Sequence, residues 1–182
     1  MPPSRQIRSQ SISSPEPPPQ YQSPEPWRDR IRPNWPMPQI QNVITTVNGR
    51  QRRLRPHVVT GAKSVLLARL AAPRHARAPQ KCGFQSKSRD FKVQNFVTSV
   101  SCGFHIRLEG IERLYRQSVK YEPELFPGLV YTVVRPQVKC LVSTTGKALL
   151  TGAKREEDVY EAFVKLYPIL LEFKKGDPWE LD

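Results

Sequence analysis

The sequence predicts an α+β fold: a curved antiparallel sheet with helices on one face. Two observations predict it. One stretch of chain occurs twice, and its second copy reads strand, helix, three strands, long helix with short links between them. That last helix carries an apolar stripe at Val159, Phe163, Leu166 and Leu170, the spacing of one helical face resting on a sheet. The other sheet face is left bare, which suits a large ligand.

Residues 1–38 come first. They are rich in Pro, Ser, Gln and Arg and poor in apolar residues, so they predict a disordered tail that cannot offset its chain entropy. Ser14-Pro15 and Ser23-Pro24 are candidate phosphorylation sites there, by a common and weak signal. The repeat begins at residue 39. Gln41-Asn42-Val43-Ile44-Thr45-Thr46-Val47 returns as Gln94-Asn95-Phe96-Val97-Thr98-Ser99-Val100, both β-branched and strand-like. Thr60-Gly61-Ala62-Lys63 returns unchanged as Thr151-Gly152-Ala153-Lys154. Gln94 to Thr151 spans 57 positions, but Gln41 to Thr60 spans 19, so the first copy lacks 38 positions from its middle. An internal loss of this kind is also what a skipped exon or a mis-predicted gene model leaves; transcript reads across Asn48–His57 decide between them.

The chain therefore divides into a tail (1–38), a shortened first repeat (39–89), a complete second repeat (90–175) and a short C-terminal tail (176–182). In the second repeat, residues 91–101 predict a strand. Residues 106–117 carry Leu108, Ile111, Leu114 and Tyr115 at helical spacing. Residues 129–135 predict a strand ending before Pro136. Residues 138–143 and 148–151 predict two more, joined by a turn at Thr145-Gly146. The long helix spans residues 155–173, with Glu156, Glu157 and Asp158 in a first turn where carboxylates complement the helix dipole.

Charge and composition exclude several function classes. Of a formal net +13, residues 1–90 contribute 16 Lys/Arg against 4 Asp/Glu, and residues 91–182 hold 13 against 12. A solvated basic tail and a polyanion-binding arm both fit that asymmetry. Cys82, Cys102 and Cys140 form no C-x-x-C pair and predict reduced thiols rather than a disulfide framework or zinc site. Three scattered histidines predict no metal centre and no cofactor. No apolar run reaches the ~20 residues a membrane helix needs, and Met1-Pro2-Pro3-Ser4-Arg5 has no apolar core of a secretory signal. There is no Ser/His/Asp order. Gly146-Lys147 is followed by Ala148 and lacks the upstream glycine, so it is not a phosphate loop. The sequence predicts a non-enzyme.

Tyr121-Glu122-Pro123-Glu124-Leu125-Phe126-Pro127-Gly128-Leu129, then Thr145-Gly146-Lys147, then Leu150-Thr151-Gly152-Ala153-Lys154 form a long ordered signature. Ile106-Arg107-Leu108-Glu109-Gly110 and Tyr160-Glu161-Ala162-Phe163 extend it. Residues 90–175 resemble the second repeat of the TATA-box-binding protein family; residues 40–48 and 58–83 resemble parts of the first repeat more weakly. The resemblance implies a saddle whose concave sheet sits on A·T-rich double-stranded DNA, incomplete here in its first repeat. It implies a nuclear protein of transcription initiation. Asn42 and Asn95 match asparagines that read central base edges, with Thr60 and Thr151 beside them. Ile44, Val97 and Leu149 match apolar positions along the sugars, Lys147 lies in the matched Thr-Gly-Lys segment of the same face, and Phe126 matches a wedge phenylalanine. Glu122, Glu124 and Leu125 match the loop that engages transcription factor IIB, the partner implied along with other initiation factors. Read without the resemblance, Phe126 is a core aromatic or a loop tip, the asparagines are turn residues, Thr-Gly-Ala-Lys is a strand end and helix cap, and Glu122 and Glu124 are a solvated loop.

The chain departs from the family pattern in four places. The 38 missing positions would hold both first-repeat wedges, and Gly49–Pro56 stands there as a basic linker. Ser143 occupies the second wedge position of the second repeat. Thr132 replaces an arginine that touches phosphate. Pro73 and Pro79 fall inside the first repeat's long helix, where an interior proline costs ~3 kcal/mol and predicts a break. Together these predict weak, salt-sensitive DNA binding with poor bending, or a protein that keeps its partner-binding loop without productive DNA binding.

Overall fold

A computed structural model describes residues 27–48, 57–81, 83 and 89–176. Strands β1 (Gln39–Asn48), β2 (His57–Ala62), β3 (Arg89–Ser101), β4 (Val119–Lys120), β5 (Leu129–Val133), β6 (Val138–Val142) and β7 (Lys147–Ala153) form one sheet. Its order is β2-β1-β3-β7-β6-β5-β4, antiparallel throughout. Helices α1 (Val65–Lys81), α2 (Leu108–Leu114) and α3 (Glu156–Glu172) complete it. The α+β expectation holds, and the sheet is open rather than closed.

Period-two alternation drives the layering. Val43, Thr45 and Val47 of β1, Phe96, Thr98 and Val100 of β3, and Ala148 and Leu150 of β7 are buried against the helices. Residues between them face the other way and stay half-exposed. The predicted stripe Val159, Phe163, Leu166 and Leu170 is fully buried, joined by Ala162 and Tyr167. Burial of this face contributes to folding at ~25 cal/mol per Å² of apolar surface removed from water.

The internal repeat is also a structural one. β1 pairs with β3 at the centre, and Asn42 lies opposite Val97 while Ile44 lies opposite Asn95. Exchanging the repeats swaps those two pairs, so an internal twofold runs between β1 and β3. Thr45 and Thr98 hold matched positions, both buried with a hydroxyl that finds no partner among the described residues. β2 is to β1 what β7 is to β3.

Several expectations are corrected. Residues 27–38, expected within the tail, include packed tryptophans. Trp27 stacks on Tyr160 at 4.2 Å, and Trp35 meets Phe163 edge-on and Tyr167 at 4.7 Å. Two tryptophans bury enough area to order a proline-rich segment that polarity alone leaves loose. Residues 1–26, with both Ser-Pro dipeptides, lie outside the described residues, as do 49–56, Cys82 and 177–182. The prolines do not break α1, which runs through positions 73 and 79. Pro73 is exposed, so water can satisfy the carbonyl it leaves unbonded; Pro168 is likewise exposed inside α3. The helix expected over residues 106–117 is only Leu108–Leu114. Its start is late because Ile106 and Arg107 donate their N–H groups to the Thr144 and Phe173 carbonyls instead.

Cys102 and Cys140 are free thiols. Burial pushes Cys140 up to about 12 and Cys102 up to about 11, so both are protonated at neutral pH and poor nucleophiles.

Candidate nucleic-acid interface

The face of the sheet away from the helices gathers eight of the nine residues that the sequence singled out for DNA. Asn42 and Ile44 come from β1, Thr60 from β2, Asn95 and Val97 from β3, and Lys147, Leu149 and Thr151 from β7. Alternation puts them there, since their sequence neighbours Val43, Val59, Phe96, Ala148 and Leu150 are buried on the opposite side. In register, Val97 lies opposite Thr151, Ser99 opposite Leu149 and Ser101 opposite Lys147.

Two identical clamps stand on this face. Asn95 Oδ1 accepts the Gly152 N–H at 2.7 Å, and Asn95 Nδ2 donates to Thr151 Oγ1 at 3.0 Å. Asn42 Oδ1 accepts the Gly61 N–H at 2.7 Å, and Asn42 Nδ2 donates to Thr60 Oγ1 at 2.9 Å. A backbone N–H can only donate, so it fixes which end of each amide is oxygen. Both glycines are left-handed, with φ of +94° and +103°, which turns their N–H groups toward the asparagines. Each Nδ2 has two protons and spends one on threonine. The second is available on the open face. A further exchanged pair supports the clamps: Gln41 Nε2 donates to Ser99 Oγ at 2.8 Å and Gln94 Nε2 to Thr46 Oγ1 at 2.7 Å.

The two halves differ away from the centre. Beside Thr151 lies Lys139 of β6, and beside Leu149 lies Leu141. Both are on the open face, and the sequence reading passed them over. Their alternation with buried Val138, Cys140 and Val142 was the available signal. Beside Thr60 there is no outer strand among the described residues. Phe126 stands apart from the other eight, in the loop before β5, 45% exposed with its ring against Gly128. A groove of about 670 Å³ runs past it, lined by Met37, Ser99, Leu141, Ser143 and Leu149 among others. Ser143 leaves this groove open where an aromatic ring would fill it. Thr132 is exposed on β5.

The loop from Tyr121 to Gly128 is held by a tight turn in which the Leu125 and Phe126 N–H groups donate to the Glu122 carbonyl. It projects Glu122, Glu124 and Leu125 together, with Leu125 80% exposed. Glu122 also pairs with Lys120 at 3.2 Å in an exposed contact of little energetic weight.

Residues 90–173 match the family model described as transcription factor TFIID (or TATA-binding protein, TBP). The fold aligns with Methanococcus jannaschii TBP at a TM-score of 0.66 and 26% identity, covering 76% of this chain and 100% of that one. Over 118 residues the chain is 52% identical to the TATA-box-binding protein of Acanthamoeba castellanii. Residues 90–173 belong to the TATA-box-binding protein family. The chain is equally 52% identical over 118 residues to Xenopus laevis TATA box-binding protein-like 2. In both alignments 65% of this chain takes part, but it spans only 46% and 37% of those relatives.

Proposed function

We propose that this chain is a nuclear general transcription factor that binds A·T-rich duplex DNA at core promoters through the open sheet face, with weakened bending. The shortened lobe (39–89) and the complete lobe (90–175) act together, because the reading centre lies on the seam between them. The matched Asn–Thr–Gly clamps carry this reading. The minor groove offers chiefly A N3 and T O2 as acceptors, and each clamp has a spare amide N–H to offer them, while the threonine hydroxyls donate to Asn42 Oδ1 at 3.2 Å and Asn95 Oδ1 at 3.4 Å. Ile44, Val97, Leu141 and Leu149 supply apolar contact with the sugars. Minor-groove proteins that insert apolar wedges, of which this family is a standard instance, kink the duplex by unstacking base steps. Here Phe126 is the single candidate wedge and Ser143 stands at its partner position, so the duplex is gripped but less sharply kinked. Lys139 and Lys147 supply phosphate contacts that weaken as salt rises.

The test is a gel-shift and bending assay on A·T-rich and G·C-rich duplexes. The A·T-rich duplex should bind about tenfold tighter or more, at the 1–3 kcal/mol scale of base-edge recognition. Ser143→Phe should increase the bend. Equal affinity for both duplexes, with no bend before or after that substitution, overturns the proposal.

The projecting loop favours a second role, recruitment of transcription factor IIB through Glu122, Glu124 and Leu125, with or without productive DNA binding. An apolar tip flanked by carboxylates suits a basic, apolar partner surface. Pull-down of transcription factor IIB should succeed with the unaltered chain and be lost with Glu122→Arg. Capture that is absent, or indifferent to that charge reversal, removes this role.

A further inference from the structure

The sheet has two edges, and they are unlike. At one end β4 is a two-residue strand beside the Lys120–Glu122 ion pair, a short charged edge with little to offer another strand. At the other end β2 is six residues long, reads His57-Val58-Val59-Thr60-Gly61-Ala62, and carries no Lys, Arg, Asp or Glu. Its inner side is paired to β1, while its outer side has no strand among the described residues. The repeat supplies a direct comparison, because β7, its counterpart, is paired on both sides, to β3 and to β6. A position that the fold fills in one repeat is open in the other among the described residues.

We propose that this edge pairs with β2 of a second copy of the chain, giving a twofold dimer with one continuous sheet. The inference is independent of DNA binding. Four features select a second copy. A strand paired antiparallel with its own copy closes on itself and leaves neither β2 edge free. The opposite edge, β4, is too short to accept β2, so head-to-tail chains are disfavoured. The partner's β2 and β1 would stand where the missing middle strands of the first repeat would have stood.

The fourth feature is α1. It packs on β2 and β1, and less on β3, so its axis lies over the β2–β1 pair. A twofold at the β2 edge puts two such helices about two strand spacings apart, roughly 10 Å. That is the distance at which helices pack. Ala68 and Ala72 face the sheet, and Arg69 lies over Phe91 of β3, so the inner flank of α1 is the Arg69 side. Leu67, two residues earlier and about 200° around the helix, therefore lies on the outer flank toward the edge. It is 53% exposed. The corresponding position of α3, reached through the Thr60/Thr151 match, is Asp158. One helix has a charge suited to water where the other has a leucine suited to burial. Val58, 60% exposed beside the edge, adds apolar area on the other face.

Charge opposes the pairing and gives it a signature. Residues 39–89 contain 11 Lys/Arg and no Asp/Glu, so two copies bring like charges together. Salt screens that repulsion, since the Debye length falls from about 10 Å at 0.1 M to about 3 Å at 1 M. Dimerisation should strengthen with salt, the reverse of DNA binding.

The experiment is sedimentation of the full chain without DNA at about 0.1 M and about 0.5 M salt. A species of twice the 20.9 kDa chain mass should appear and should gain population at the higher salt. Val58→Lys and Leu67→Asp, both at exposed positions, should each weaken it about tenfold or more, roughly 1.4 kcal/mol, with an unchanged circular-dichroism spectrum showing that the chain still folds. A chain that stays monomeric at both salts overturns the proposal, including the case in which residues 1–26 or 49–56 cover the edge from within. So does a dimer that ignores both substitutions, or one that dissolves only with Leu149→Glu and is therefore built on the open face.

Discussion

Asn95→Asp is expected to abolish most A·T-rich DNA binding while leaving the fold intact. The substitution is nearly isosteric. An aspartate oxygen still accepts the Gly152 N–H that Asn95 Oδ1 holds at 2.7 Å, so the clamp's structural role survives. What disappears is the amide nitrogen, which bonds Thr151 and has its second proton available on the open face. A carboxylate there would also be repelled by the negative potential of a bound minor groove. At about 1–3 kcal/mol per base-edge contact, and 1.4 kcal/mol per tenfold, the single variant should lose about ten- to a hundredfold in affinity. Asn42→Asp should match it, because the Gly61 and Thr60 bonds are the same. Fluorescence anisotropy on a short duplex reads the loss, and thermal unfolding reads the fold. Unchanged affinity in both single variants would mean that the clamps brace the sheet and read nothing.

The largest effect on stability should come from Gly146→Ala. Gly146 joins β6 to β7, donating to the Ser143 carbonyl at 3.0 Å and accepting from the Cys102 N–H at 2.9 Å. Its φ is +80°, and a Cβ would lie 2.0 Å from the Phe104 carbonyl oxygen. That oxygen belongs to the backbone between β3 and α2, so relieving the overlap requires the chain itself to move. Strain and overlap together should remove about 3 kcal/mol, or roughly 10 °C in unfolding temperature for a chain of this size. Gly103→Ala is the control: its φ is +77°, but a Cβ there meets nothing within 4 Å, so only backbone strain of about 1–2 kcal/mol applies. Calorimetry that finds the two equal would place the whole effect in φ and none in the close approach.

Much of the fold was legible because it is periodic. β3, β5, β6 and β7 sit where alternation and β-branching put them, and α3 was readable from four apolar positions on one face. The clamps were legible only as a recurrence: Asn42 and Asn95 are ordinary residues until their neighbours repeat as well. What sequence could not provide was the use of the third dimension. Whether Pro73 breaks a helix depends on which side of α1 meets water. Trp27 and Trp35 look like residues of a polar tail until Tyr160, Phe163 and Tyr167 are found beneath them. Alternation in β6 puts Lys139 and Leu141 on one side of the strand, but that they stand beside Thr151 and Leu149 is set by pairing across strands, which no local pattern encodes.

The twofold between β1 and β3 has one more consequence for a reader of DNA. A centre in which Asn42 and Val97 trade places with Asn95 and Ile44 carries no arrow. An A·T-rich helix looks nearly the same to it from either end. Polarity must then come from the periphery, and the periphery is unequal: one side carries Phe126 and the Tyr121–Gly128 loop, the other ends at β2 among the described residues. On the proposed reading, upstream and downstream would be told apart by the difference between a finished flank and an unfinished one.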